Sequence, residues 1–252
     1  MSTEMTVSTY QALAPNSRAA RAMAANFATG ETISFADLTT VSVPTGGITQ
    51  WQIEDITGSH SVPEIVGICC YYAPYGVLWP SKEPAENGRP LLVTNDLISA
   101  TKVGDDYGDL DPEAIAACRR DDGSYDWQRL PYNQYGSAGY GRRCKEQRIM
   151  AILRQDDTMP ILVRVSPGSL KPITQFIRKL PVPFFEAVIS LTLQRVKNQG
   201  GISYAQIVPR LVETLSEEQG EMIHRLYTQT LGDAVRAAAE RAEIPRSDYD
   251  IE

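Results

Sequence analysis

Apolar residues along this chain recur mostly at every second position or in short unbroken runs, a spacing that predicts strands. SFADLTTVSVP (34–44) leads through Gly46-Gly47, a turn signal, into GGITQWQIEDI (46–56), where Ile48, Trp51 and Ile53 alternate imperfectly with polar residues. SVPEIVGICCYYAPYGVLW (61–79) is apolar on both faces, the pattern of a central strand. RIMAILR and MPILVRVS are two strands across the turn QDDT, and FFEAVISLTLQRV pairs with GISYAQIVPRLVE across NQGG. Helical spacing appears in SPGSLKPITQFIRKLP, with Leu170, Ile173, Phe176, Ile177 and Leu180 on one face. It returns in LSEEQGEMIHRLYTQTLGDAVRAAAERAE, where Ser216 and Gln219 form a capping box and Gly232 is the expected point of loosening.

Residues 80–147 break this regularity. They hold a loop by composition, the short LLVTNDLIS, and then a long stretch without sustained period. So long an irregular stretch inside a domain is functional or a small subdomain. The organisation expected is an extension over 1–35 with a short helix capped at Asn16 or Ser17, then a core over 36–210 that includes the insert 80–147. A C-terminal helix over 211–244 and an acidic tail over 245–252 complete it. Short strands interrupted by one helix predict a mainly β (α+β) fold built on an OB-like small barrel rather than a sandwich.

Composition leaves the class at an ordinary globular protein, with 42% hydrophobic and 22% charged residues. The start MSTEMTVSTYQ lacks a basic-then-apolar signal, no run reaches the length of a membrane span, and a cytoplasmic location is expected, in the host cell if a phage encodes the chain. Cys69, Cys70, Cys118 and Cys144 fit a reducing compartment, and the adjacent Cys69 and Cys70 point to opposite faces of a strand.

Charge distribution changes the picture. The net charge of −7 argues against a polyanionic partner, yet residues 140–210 alone carry 12 Lys/Arg against 4 Asp/Glu. Residues 1–139 carry 8 against 17, and 211–252 carry 4 against 10. A basic middle lies between acidic flanks. Chance segregation of charge on helices and loops is the plain alternative.

Catalytic patterns are missing from the sequence. It has no Gly-rich phosphate loop ending in Lys-Ser/Thr and no G-x-S-x-G elbow, and its two histidines, His60 and His224, lie in no nucleophile motif. Asp105, Asp106, Asp109 and Asp111 lack the glycine and closing glutamate of a calcium loop, so a solvated acidic loop is the expectation. Cys118 and Cys144 stand alone, without C-x-x-C spacing, and no metal or other cofactor is expected.

What remains is PYNQYGSAGYGRRCKEQR (131–148), where Tyr132, Tyr135 and Tyr140 lie among three glycines and beside Arg142, Arg143, Lys145 and Arg148. Single strands are held by a cationic groove and by rings on which bases stack. Further cations follow at Arg154, Arg164, Lys171, Arg178, Lys179, Arg195 and Lys197. The nucleic-acid-binding set expected is Tyr132, Tyr135, Tyr140, Arg142, Arg143, Lys145, Arg148, Arg164, Lys171, Arg195 and Lys197. At least one of the three tyrosines is expected to plug the insert instead, Trp51 is expected in the core, and Arg178 and Lys179 also suit the C-terminus of a helix dipole.

Over residues 33–210 the order of elements resembles a family carried by phages and integrative elements and associated with single-stranded DNA binding. The matching pieces are VPTGGITQWQI, ACRRDDG, LPYNQYGSAGYGRRCKEQRIMAIL, SPGSLKPITQFIRKL and the GGISYAQ hairpin. The resemblance implies a cysteine-rich insert like a small zinc site, ending in a Cys-Pro-x-Asn-x-aromatic-Gly-Ser run and a later Cys-Lys. Pro131, Asn133, Tyr135, Gly136, Ser137 and Cys144-Lys145 match that ending, and Cys118 matches its beginning. Leu130 and Trp127 stand where the middle cysteines would be, so an apolar plug is expected in place of the metal.

The tail RSDYDIE alternates acids with an aromatic and an isoleucine, as in tails that compete with DNA or recruit a replication or recombination protein; a frayed terminus is the plain reading. The expectation is a non-enzymatic, sequence-tolerant single-stranded DNA-binding protein for phage or mobile-element replication and recombination, with oligomerisation open. An adaptor or virion protein meeting an acidic protein surface is the second reading, and a nuclease built on the acidic loop the third.

Overall fold

The computed structural model describes residues 34–55, 58–81, 89–139, 141–155, 157–198 and 200–241, together with Ile244. The extension expected over 1–35 falls outside them except at its end, and the acidic tail does so entirely. Along the chain come β1 (Thr40–Ser42), β2 (Trp51–Asp55), β3 (Gly58–Val62), β4 (Glu64–Leu78), β5 (Leu92–Thr94) and β6 (Ser99–Lys102). After them come α1 (Pro112–Ala116), β7 (Tyr125–Asp126), β8 (Lys145–Leu153), β9 (Ile161–Val165) and α2 (Pro167–Arg178). β10 (Ala187–Lys197), β11 (Ser203–Thr214), α3 (Glu217–Ile223) and α4 (Gln229–Glu240) end the described chain. The architecture is mixed α/β, mainly sheet, with a C-terminal helix. No helix among the described residues is long and apolar enough to cross a membrane.

Two compact units divide the chain, one of Met1–Tyr72 and Ile149–Gly232, the other of Ala73–Arg148 and Asp233–Glu252. The insert expected over 80–147 lies within the second. In the first unit, β1 runs parallel to β9, β8 lies between β9 and β4, and β10 pairs antiparallel with the first part of β4 and with β11. β2 and β3 form a separate antiparallel hairpin. No ladder among the described residues joins β1 to β11.

All five residues of β9 are buried, as suits a run, ILVRV, that is apolar on both faces but for Arg164. Trp51 is fully buried, and its indole N–H donates to Leu191 O at 2.9 Å, so the ring belongs to the core as expected. Each such apolar side chain taken from water contributes about 1.5–3 kcal/mol.

α2 docks on β11 through its first turn. Pro172 lies inside the helix and has no N–H for the carbonyl four residues back, that of Gly168. Gln206 Nε2 donates to that carbonyl at 2.8 Å. Ile207 N–H, aimed off the outer edge of β11, donates to Ser169 Oγ at 2.9 Å. Gly168 is required here, because a Cβ on it would come within 2.5 Å of the Tyr204 ring. Pro209 removes another donor from the same strand, so this edge presents a poor template for further pairing.

The C-terminal helix departs from expectation in one place. The Ser216–Gln219 capping box is present, but the irregularity falls at His224–Thr228, a π-helical turn, and Gly232 continues α4. The wider turn directs Tyr227 inward, with its hydroxyl donating to Thr158 O at 3.3 Å, while Thr228 Oγ1 donates to Cys70 O at 2.7 Å. Those two anchors are the physical reason for a break that glycine content suggested elsewhere.

Candidate nucleic-acid interface

The second unit has its own apolar core despite its irregular sequence. Leu78, Leu91, Leu92, Leu110, Ile115 and Tyr125 pack with Cys118, Trp127, Leu130 and Cys144. β4, β5, β6 and β7 supply short antiparallel pairings. Aspartates hold the connections. Asp111 caps α1 through Glu113 N–H, Asp106 accepts from Gly108 N–H, and Asp126 accepts from the Gln128 and Arg129 amides. Asp105, Asp106, Asp109 and Asp111 are all exposed, as expected of a solvated acidic loop, while Asp106 and Asp111 also cap the backbone and Asp105 and Asp109 pair with Lys102 and Arg143.

Trp127 and Leu130 share one cluster with Cys118 and Cys144. The single proton of Cys118 Sγ can reach Ala114 O at 3.5 Å or Arg129 O at 3.4 Å, and burial raises its pKa. Burial likewise pushes the Cys144 thiol up, with the Glu146 charge adding to it. A structural zinc takes four donors, and in this cluster Trp127 and Leu130 supply none beside the two thiols. Among the described residues no group of three or more His, Cys, Asp or Glu side chains is arranged to hold a metal. The zinc site that the resemblance implies does not fit these residues.

The loop after Pro131 is stapled from several directions. Tyr132 O accepts from Arg143 N–H (3.1 Å), Cys144 N–H (3.0 Å) and Ser137 Oγ (2.8 Å), and Ser137 Oγ accepts in turn from Arg143 N–H at 3.0 Å. Gly136 N–H donates to Gly141 O at 2.7 Å and closes the neck, with Tyr135 and Arg142 on either side of it. Gly136, Gly139 and Gly141 have φ of 92°, 86° and 92°, values that side-chain-bearing residues rarely adopt. Asn133, buried, donates its amide to Trp127 O at 3.1 Å and accepts from Arg142 Nη1 at 3.4 Å.

The tyrosines divide. Tyr135 is 71% exposed. Tyr132 packs against the apolar core, and its hydroxyl accepts from Asp111 N–H at 2.5 Å, so it plugs the insert. Tyr140 lies outside the described residues.

The cations divide as well. Arg142 is exposed, with Nη1 also 3.4 Å from Glu146 Oε1, while Lys145 and Arg148 are half-buried at the start of β8. Arg143 does not belong on a binding face: its side chain is 6% exposed and Nη2 donates to Trp79 O, Pro80 O and, at 2.5 Å, Asp109 Oδ1. It ties the insert together from within.

In the first unit, Lys171 is exposed on α2, and Arg195 and Lys197, two apart on β10, share a face. Arg195 Nη2 donates to Gly46 O at 3.3 Å, which holds the Gly46-Gly47 turn against β10. Arg164, only 3% exposed on β9, is no surface cation, because a strand covered on both faces buries whatever it carries. The arrangement therefore leaves Tyr135, Arg142, Lys145 and Arg148 exposed or half-exposed in the second unit, and Lys171, Arg195 and Lys197 exposed in the first.

Sequence reasoning missed the staples Asn133 and Ser137 as structural parts, and Glu146 as the partner of Arg142. The i, i+4 spacing of Arg142 and Glu146 was a signal available for the last of these. No family model, no curated protein and no solved structure matches this chain.

Proposed function

We propose that this protein is a non-enzymatic, sequence-tolerant single-stranded DNA-binding protein acting in phage or mobile-element replication and recombination, in the host cytoplasm. Its core is proposed to be OB-like, a reading supported by α2, which follows β9 and packs against both β9 and β11. The observation that carries the function is Tyr135: a large ring, 71% exposed, on a loop tied by five hydrogen bonds to three acceptors, Tyr132 O, Ser137 Oγ and Gly141 O. Burying an aromatic ring is worth more than exposing it, so a ring held out on a stapled loop is suited to a partner that stacks. Arg142 beside it supplies charge for the backbone. In the first unit, the exposed Lys171, Arg195 and Lys197 add further phosphate contacts.

Titration of labelled oligo-dT at two salt concentrations tests this reading. Tight binding is expected, with log affinity falling against log salt by about 0.7 per phosphate contacted. Absence of binding at low salt contradicts it. Loss of input DNA only on adding Mg²⁺ favours a nuclease instead.

A second reading, an adaptor or virion protein for an acidic protein partner, draws on Ile48 and Ile202, 52% and 67% exposed, in turns close along the chain to Gly47 and Lys197. Under it, an acidic protein would bind and oligo-dT would not compete.

A further inference from the structure

Arg142 is tethered by a single nitrogen. Nη1 donates to Asn133 Oδ1 and to Glu146 Oε1, each at 3.4 Å. Asn133 cannot turn away, since its own amide group is engaged by Trp127 O in the buried interior of the insert. The Nε and Nη2 donors have no partner among the described residues, and these two form the edge of a guanidinium that meets an oxyanion bidentately. The side chain is 49% exposed and follows the neck of the loop that carries Tyr135.

We infer that Arg142 grips one backbone phosphate through its Nε–Nη2 edge, and that Glu146, holding the opposite nitrogen, limits the strength of that grip. This rests on the single-strand reading above. The bound phosphate and the Glu146 carboxylate repel each other across one guanidinium, and the carboxylate, 24% exposed, is only partly screened by water. Glu146 therefore sets affinity low enough for exchange while Asn133 keeps the fork aligned. A base contact by Arg142 would instead bring sequence preference, which a phosphate contact does not.

The effect is measurable with oligo-dT and a mixed-sequence oligonucleotide. Glu146→Gln keeps an acceptor for Nη1 and removes the charge. It should bind both oligonucleotides about two- to fivefold more tightly at low salt, the size of one exposed ion pair, with the gain shrinking at high salt. The double variant Glu146→Gln/Arg142→Ala should bind as weakly as Arg142→Ala alone. Arg142→Lys, which keeps charge but loses the fork, should bind less tightly than wild type. An equal gain from Glu146→Gln in the Arg142→Ala background would overturn the inference, because it would mark a general charge effect. So would unchanged affinity of Glu146→Gln where the wild type binds. Failure of the wild type to bind either oligonucleotide removes the functional reading itself and this inference with it.

Discussion

Gln206 donates its side-chain amide to the carbonyl of Gly168 at 2.8 Å, and that carbonyl is the acceptor Pro172 leaves unclaimed within α2. A proline inside a helix ordinarily weakens it by removing one bond of the ladder. Here the neighbouring strand restores the bond, so the same residue that interrupts the helix fixes where the helix docks. Tyr204 against Gly168 and Ser169 under Ile207 N–H complete the contact.

Gln206→Leu should therefore destabilise the fold by about 1–3 kcal/mol, the cost of leaving a shielded carbonyl without its donor. Gly168→Ala should be worse tolerated than an alanine at exposed Lys171, since its Cβ meets the Tyr204 ring. Urea unfolding midpoints check both.

Tyr132 and Tyr135 should respond in opposite ways. Tyr132→Phe removes the acceptor of Asp111 N–H and should lower stability by about 1 kcal/mol while leaving oligonucleotide affinity unchanged. Tyr135→Ala should leave stability nearly unchanged and weaken binding by about 1–3 kcal/mol, with the salt slope preserved. Thermal melts and titrations on the same preparations separate the two roles. If Tyr135→Ala lowers the melting temperature and binds normally, its ring is structural.

Much of the first unit was legible because its strands follow apolar spacing. The run EIVGICCYYA reads as central and β4 is paired on both edges; MPILVRVS reads as a strand and β9 is one. The insert was not legible in this way. Its core residues, from Leu110 through Ile115 and Cys118 to Trp127 and Leu130, fall at irregular intervals, and aspartate caps with only a short pairing of β6 and β7 hold the chain between them. Cations misled for a different reason. Arg143 and Arg164 look in sequence like Arg142, and only the carbonyl cluster around one and the buried strand around the other distinguish them. The apolar plug at Trp127 and Leu130 was readable from the positions those residues take in the resembling motif.

The four cysteines are buried as thiols, and this gives stability a pH dependence. Burial foremost pushes Cys69 from 9.0 up to about 12, against a smaller pull from the Tyr71 backbone, and raises Cys70 and Cys144 as well. A thiol that stays protonated in the fold contributes stability in full below its unfolded value and loses it as pH rises. Stability should thus fall above about pH 9, by up to about 1.4 kcal/mol per thiol for each pH unit until the folded thiol itself ionises. Unfolding midpoints between neutral and alkaline pH check the direction. A thiol reagent at neutral pH should meanwhile react slowly with the native chain and quickly once it is unfolded.

The Arg142 and Arg143 pair should split cleanly. Arg142→Ala should flatten the salt dependence of binding by about one phosphate contact, a change of about 0.7 in slope. Arg143→Ala should leave Asp109 and the Trp79 and Pro80 carbonyls without their donor and act on stability. Slopes from titrations across a salt series, with unfolding curves beside them, make the comparison.

Stacking of a base on Tyr135 can be read directly by photocrosslinking. An oligonucleotide carrying 5-iodouracil, irradiated in complex with the protein, couples to an aromatic ring lying against the base, and peptide mapping locates the bond. The expected adduct is on Tyr135, lost in Tyr135→Ala and diminished by excess unlabelled oligo-dT. Adducts confined to other residues, or a yield unchanged in Tyr135→Ala, would contradict the assignment of this loop as the surface that holds single-stranded DNA.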